Sequence, residues 1–230
     1  MLAETLRSSP LPWAELRALL EPHASREISP AFLWRRVQGY EAFVHVPPSG
    51  IWGYGGDGVY AAADTVTDGT TPEPAEAGEH LIRRYFAAFG PATVQDVGQW
   101  AGLQRTGPLA AAIARLDLRT FEDENGETLF DVPRAPLPDP ETPAPLRLVP
   151  RFDDLVLSHA DRTRILGDVP ADRIVSKNAL VQATILVDGF VAGTWQLEDG
   201  RVRLEPFARL PREVKAALAE EAERVEAFVA

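Results

Sequence analysis

The spacing of apolar positions changes repeatedly along this chain, and each change marks a part. In "WAELRALL", Trp13, Leu16, Leu19 and Leu20 fall on one helical face, with Ser9 and Pro10 or Pro12 as the start signal. "PAFLWRRV" repeats the pattern behind a Ser29 cap and Pro30 at the first helical position. There Phe32, Leu33, Val37 and Tyr40 are expected inside, and Arg35 and Arg36 outside. Spacing then drops to two in "AFVHV" and "VYAAA", on either side of the Gly- and Pro-rich "PPSGIWGYGGDG". Two helices and a strand pair with a pliant tip predict a winged helix-turn-helix over 1–68.

The same order recurs over 69–134. "EPAEAGEHLIRRYFAAFG" sets Leu81, Ile82, Tyr85, Phe86 and Phe89 on one face and closes at Gly90. Thr93 with Asp96 three residues on reads as a capping box for the next helix, and "GPLAAAIARLDL" follows as its partner. "LRTFEDENGETLFDV" is two alternating strands joined through Asn125-Gly126. Its tip is strongly acidic, from Glu122 to Glu127, and would be repelled by phosphate.

Prolines crowd the stretch from Pro133 to Pro145, so a stiff extended connector is expected over 135–146. Beyond it "RLVP", "DLVLS" and "NALVQATILVDGFVAGTWQLEDGRVRLEPF" read as strands, with Asp188-Gly189 and Asp199-Gly200 as hairpin turns. "LPREVKAALAEEAERVEAFVA" is a final helix with Val214, Leu218, Ala222 and Val225 on its packing face. The fold class expected is α+β: two tandem winged helix-turn-helix domains, then a small β-barrel with a C-terminal helix over 147–230.

Composition narrows the chemistry. Without cysteine, thiol catalysis, disulfides and Cys-based metal centres are excluded, and His23, His45, His80 and His159 form no ligand-spaced pair, so no metal and no cofactor are expected. No apolar run approaches the roughly 18 residues that a membrane span needs, and the N-terminus lacks the regions of a signal peptide, so the expectation is a cytoplasmic protein without a membrane partner. The net charge of -11 opposes nonspecific nucleic-acid binding over the whole surface. Its distribution is uneven: residues 67–150 carry seven basic and thirteen acidic groups, whereas 151–178 carry five of each. Within that balanced segment, "VPRFDDLVLSHADRTRILG" leaves two readings open. Asp153 or Asp154 pairs with Arg162 or Arg164 to pin a solvated turn, or the cations form a local positive patch.

Several of these words, "VHVPPSGIWG", "RYFAAFGPATVQDVGQWAGL", "LFDVP", "RFDDLVLSHADRTRIL" and "LVDGFVAGTW", resemble the AlkZ/YcaQ-type winged-helix DNA glycosylase family, from about Leu11 to the end. The resemblance implies tandem winged helices, a C-terminal β-barrel, a role in DNA repair and duplex DNA as partner, contacted mainly along its phosphate backbone. It implies that Arg151, His159, Arg162, Arg164, Arg173 and Lys177 line the face on which DNA lies; by their positions on or beside helices, Arg35, Arg36 and Arg105 are expected as further phosphate contacts. One departure stands against it. The family's base-excising word, Gln-x-Gln or Gln-x-Asp, belongs to its first winged helix, and none of Gln38, Gln95, Gln99, Gln104, Gln182 or Gln196 begins such a triplet.

No catalytic residue is therefore expected, and binding without autonomous base excision is the leading expectation. Two alternatives stay open: a truncated form of an active glycosylase excising alkylated bases, and a protein-interaction scaffold that binds a protein partner and no DNA.

Overall fold

A computed structural model of the chain describes residues 2–68, 72–103, 105–176 and 180–230. The protein is mixed α+β and forms two compact units, 1–73 and 74–230.

The first unit opens with a helix that the apolar spacing did not announce, α1 (Leu2–Ser8), whose one deep anchor is Leu6. Strand β1 (Leu11–Pro12) runs into α2 (Trp13–Leu20), followed by α3 (Pro30–Val37), β2 (Phe43–His45) and β3 (Val59–Ala62). The strands pair antiparallel in the order β1-β3-β2. Ser29 caps α3 by accepting the amide of Phe32, as expected. The buried face of α3 differs from expectation: Trp34 is its core residue, while Phe32 is 45% and Tyr40 82% exposed. Trp34 packs its ring 4.9 Å from Phe43 and 5.0 Å from Tyr60, which centres the buried stripe one position past Leu33. On α2, Leu16 and Leu20 are buried and Leu19 is exposed, so the core stripe is narrower than the spacing suggested.

In the second unit, α4 (Pro74–Phe89), α5 (Val94–Trp100) and α6 (Gly107–Ile113) enclose Ile82, Tyr85, Phe86, Val97, Leu109 and Ile113. The hairpin β4 (Arg119–Glu122) and β5 (Thr128–Asp131) follows, and Ala92 adds an isolated bridge to Phe130. At its turn Gly126 takes a positive φ of 80°, and the Asp123 carboxylate accepts the amides of Asn125 and Glu127. Arg119, the first residue of β4, pairs with the buried Asp131 at 3.2 Å.

Strand β6 (Arg147–Val149) comes next, then two short helices, α7 (Asp154–Leu157) and α8 (Thr163–Leu166). The helix α7 corrects the expected strand in "DLVLS": Asp153 caps it by accepting the amide of Leu155, which turns the run into a helical turn before it can extend. Strands β7 (Thr184–Val187), β8 (Phe190–Glu198) and β9 (Arg201–Pro206) form the meander, with Asp188, Gly189, Asp199 and Gly200 all at positive φ, as tight hairpin turns require. The sheet order is β6-β7-β8-β9. No β6–β9 pairing closes it among the described residues, so the expected barrel is an open sheet. The closing element is a helix: α9 (Arg212–Val229) packs against both edge strands, β6 and β9. Among the described residues no helix is long and apolar enough to cross a membrane.

Candidate functional site

The loop that carried the functional expectation, 158–164, is held against the α4–α5 corner by four hydrogen bonds. Tyr85, buried on α4, donates its hydroxyl to the Ser158 carbonyl at 2.6 Å. The Ala160 amide donates to Oδ1 of Asp96 at 2.8 Å. Oδ2 of the same carboxylate accepts the amide and the hydroxyl of Thr93, both at 2.8 Å, completing the capping box of α5. Arg164 donates to the Pro91 carbonyl at 3.0 Å. His159 bridges as well, with Nε2 3.1 Å from the Phe89 carbonyl and Nδ1 2.8 Å from the Ser158 hydroxyl.

The Phe89 partner sets one end of the ring: a carbonyl only accepts, so Nε2 of His159 carries a proton. When the ring is neutral, Nδ1 accepts from the Ser158 hydroxyl. Burial, reinforced by Arg164, holds the pKa of the imidazole below its ordinary 6.5. Burial also raises the Tyr85 phenol, with Asp96 adding to the effect, so that group stays protonated as a donor. The backbone amide and hydroxyl of Thr163, both donating to Asp161, lower that carboxyl's pKa.

A pH dependence follows for His159. Above 6.5 the ring is neutral both folded and unfolded. As pH falls below 6.5 the unfolded chain takes the proton first, and stability drops until the lower folded-state pKa is passed. Urea midpoints measured between pH 7.5 and 5.5 should fall more for the native chain than for His159→Gln; equal falls would show that the ring is not held neutral.

Beside this clasp, between the hairpin tip and the loop, lies a cleft of about 820 Å³ whose walls include Asp96, Asp123, Glu124, Glu127, Asp161 and Arg164. Its carboxylates make it unsuitable for phosphate. No cluster of His, Asp or Glu able to hold a metal occurs among the described residues.

The candidate cations have separate fates. Arg35 and Arg36 are exposed on α3 of the first unit. In the second unit, Arg105 lines an apolar groove formed with α4, α5 and α6. Arg173 lies over the Phe207 ring at 3.8 Å, Arg162 is half-buried with Nε unbonded, and Arg151 is exposed beside Trp195 and Gln196. Lys177 lies outside the described residues. The predicted pairing of Asp153 or Asp154 with Arg162 or Arg164 does not form: Asp153 caps α7, Asp161 caps its own turn, and Arg164 reaches a carbonyl. Sequence reasoning saw the Thr93–Asp96 capping box but not that the same carboxylate holds Ala160, because only folding brings positions 64 residues apart together.

A family model described as DNA glycosylase AlkZ-like matches residues 1–228. The chain belongs to the AlkZ-like DNA glycosylase family. This AlkZ-like chain is similar to the interstrand DNA cross-link repair glycosylase of Streptomyces sahachiroi, with 26% identity over 170 residues, covering 68% of the chain and 44% of the relative. Its fold matches the solved structure of the Streptomyces sahachiroi DNA glycosylase AlkZ with a TM-score of 0.74 at 23% identity, over 97% of the chain and 63% of that structure. The AlkZ-like chain thus spans less than two thirds of the length of either protein.

Proposed function

We propose that this chain is a duplex-DNA-binding member of a repair glycosylase family, gripping mainly the phosphate backbone. The reading takes 1–68 and 69–134 as winged helix-turn-helix modules joined through 135–146 to the β-unit of 147–230. The observation that carries it is the state of the cations. Among the described residues Arg35, Arg36, Arg105, Arg151, Arg162 and Arg173 enter no ion pair, in common with several other arginines, while Arg7, Arg17, Arg119, Arg201, Arg203 and Arg224 each do; Arg164, which faces the acidic cleft and donates to the Pro91 carbonyl, serves the clasp before it serves a phosphate. In a chain of net charge -11, guanidinium groups left without carboxylates favour an external anion, and family membership supplies DNA. Lys177 belongs with these cations by sequence. His159 contributes by holding the loop, since both of its ring nitrogens are taken up inside the protein.

On this reading the chain binds without autonomous base excision, because no glutamine here begins a Gln-x-Gln or Gln-x-Asp triplet. The acidic hairpin tip, Glu122 to Glu127, favours the competing reading of a protein-docking scaffold.

Fluorescence anisotropy with a duplex of about 20 base pairs separates the two. Backbone binding predicts a log–log salt slope of about -3 to -5, reduced by about 1 to 2 in the Arg35→Ala/Arg36→Ala double variant. Absent or salt-independent binding would favour the scaffold. Formation of abasic sites in an alkylated duplex would overturn binding without excision and favour an active glycosylase.

A further inference from the structure

We propose a second nucleic-acid site, apart from any excision centre: the pocket at the end of β7 receives one unpaired DNA base with its adjoining phosphate. The inference rests on the DNA-binding reading only for its choice of ligand. The pocket has a volume of about 350 Å³ and is lined by Pro150, Arg151, Ala183, Trp195, Gln196 and Leu197.

It exists because two neighbouring strands differ in length. The β7 ladder stops where Thr184 faces Thr194, and the Trp195 amide makes one more bond, to the Ala183 carbonyl at 3.1 Å. Strand β8 continues to Glu198 with β9 as its partner. The chain leaving β6 through Pro150 and Arg151 contributes to the same pocket. The indole of Trp195 is held in place by its N–H donating to the Val149 carbonyl at 2.9 Å, so the ring cannot swing out to meet a ligand and is preset instead.

The remaining groups are unspent. Gln196 is exposed and its amide makes no hydrogen bond among the described residues, leaving a donor and an acceptor together. Arg151 is exposed and enters no ion pair among the described residues. An aromatic surface, apolar walls from Pro150, Ala183 and Leu197, an amide and a free guanidinium are the set that an unstacked nucleotide uses: stacking for the base, an amide for its edge, a cation for its phosphate. Free phosphate would leave the indole and apolar walls unused, and an apolar ligand would leave Arg151 and Gln196 unused.

Two arms test the site in the intact chain. In the first, pentathymidylate is titrated while tryptophan fluorescence is followed. Quenching is expected, with affinity weakened about tenfold or more in Arg151→Ala/Gln196→Ala, whose positions are both exposed. Trp195→Phe should retain part of the binding and lose most of the quenching. In the second, a duplex with a one-nucleotide gap is compared with the intact duplex; a preference of about tenfold for the gap is expected, and the double variant should abolish it. A silent first arm, or equal quenching by the native chain and the double variant, overturns the site even if duplex DNA binds. Binding of pentathymidylate at this pocket without binding of intact duplex leaves the site standing and overturns the backbone reading.

Discussion

Replacing Asp96 with alanine should lower the unfolding free energy by about 3 kcal/mol or more, because hydrogen bonds to a charged acceptor contribute roughly 1.5–3 kcal/mol and a lost helix cap about 1. Asp96 is 6% exposed, and its two oxygens serve three donors: the Thr93 amide, the Thr93 hydroxyl and the Ala160 amide. Truncation would leave those donors without their acceptor beside the acidic cleft. Asp96→Asn should not rescue it, since one of its two polar atoms becomes a donor where an acceptor is needed. Thr93→Ala removes only the hydroxyl side of the cap and should cost about 1 kcal/mol. Urea unfolding at neutral pH gives the ranking, and amide exchange at Ala160 gives the location. The assignment of Asp96 as the clasp would fail if the asparagine variant matched the native protein, or if Ala160 stayed protected in Asp96→Ala.

Gly193→Ala should be about as damaging, at about 3 kcal/mol, for steric reasons in place of electrostatic ones. A methyl at Gly193 of β8 would lie 2.6 Å from the Glu205 carbonyl oxygen, 2.8 Å from the Pro206 Cα and 3.1 Å from Ile185 Cδ1. The first two are backbone atoms of the neighbouring strand, and Ile185 is fully buried, so none of the three can move aside without opening the sheet. Thermal unfolding should shift down by about 10 °C, at roughly 2–4 °C per kcal/mol for a chain of this size. Gly78→Ala makes the matching control. It lies inside α4 with no atom within 4 Å of the added carbon, so the helix should gain up to about 1 kcal/mol and the midpoint should rise. Shifts of the same sign in both variants would sink the steric argument.

What was legible in the sequence was mostly local. Ser29 and Thr93 act as caps because their partners lie three residues away, and the Asp-Gly turns follow from the positive φ each position must adopt. The DNA glycosylase resemblance was legible for a related reason, since its words are contiguous. Where pattern failed, a distant partner decided. Trp34 displaced Phe32 and Tyr40 from the core because two rings of the sheet pack against it, one tilted and one edge-on. "LVL" became α7 because a cap outweighed β-propensity in a run only four residues long. The candidate site was legible as a set of residue types but not as an arrangement. Spacing cannot reveal that His159 and Arg164 reach carbonyls at Phe89 and Pro91, nor that Trp195 and Arg151 line one pocket at a strand end.

The placement of α9 bears on how this protein behaves in a crowded solution. An open sheet has two margins, each a row of backbone donors and acceptors that another copy's strand can match. Here one helix attends both margins, and its Glu226 takes the Val202 amide at 2.8 Å, occupying a donor that a foreign strand would otherwise use. The helix therefore acts as a guard against strand-to-strand pairing, and a chain ending before Arg212 should aggregate more readily than the native one.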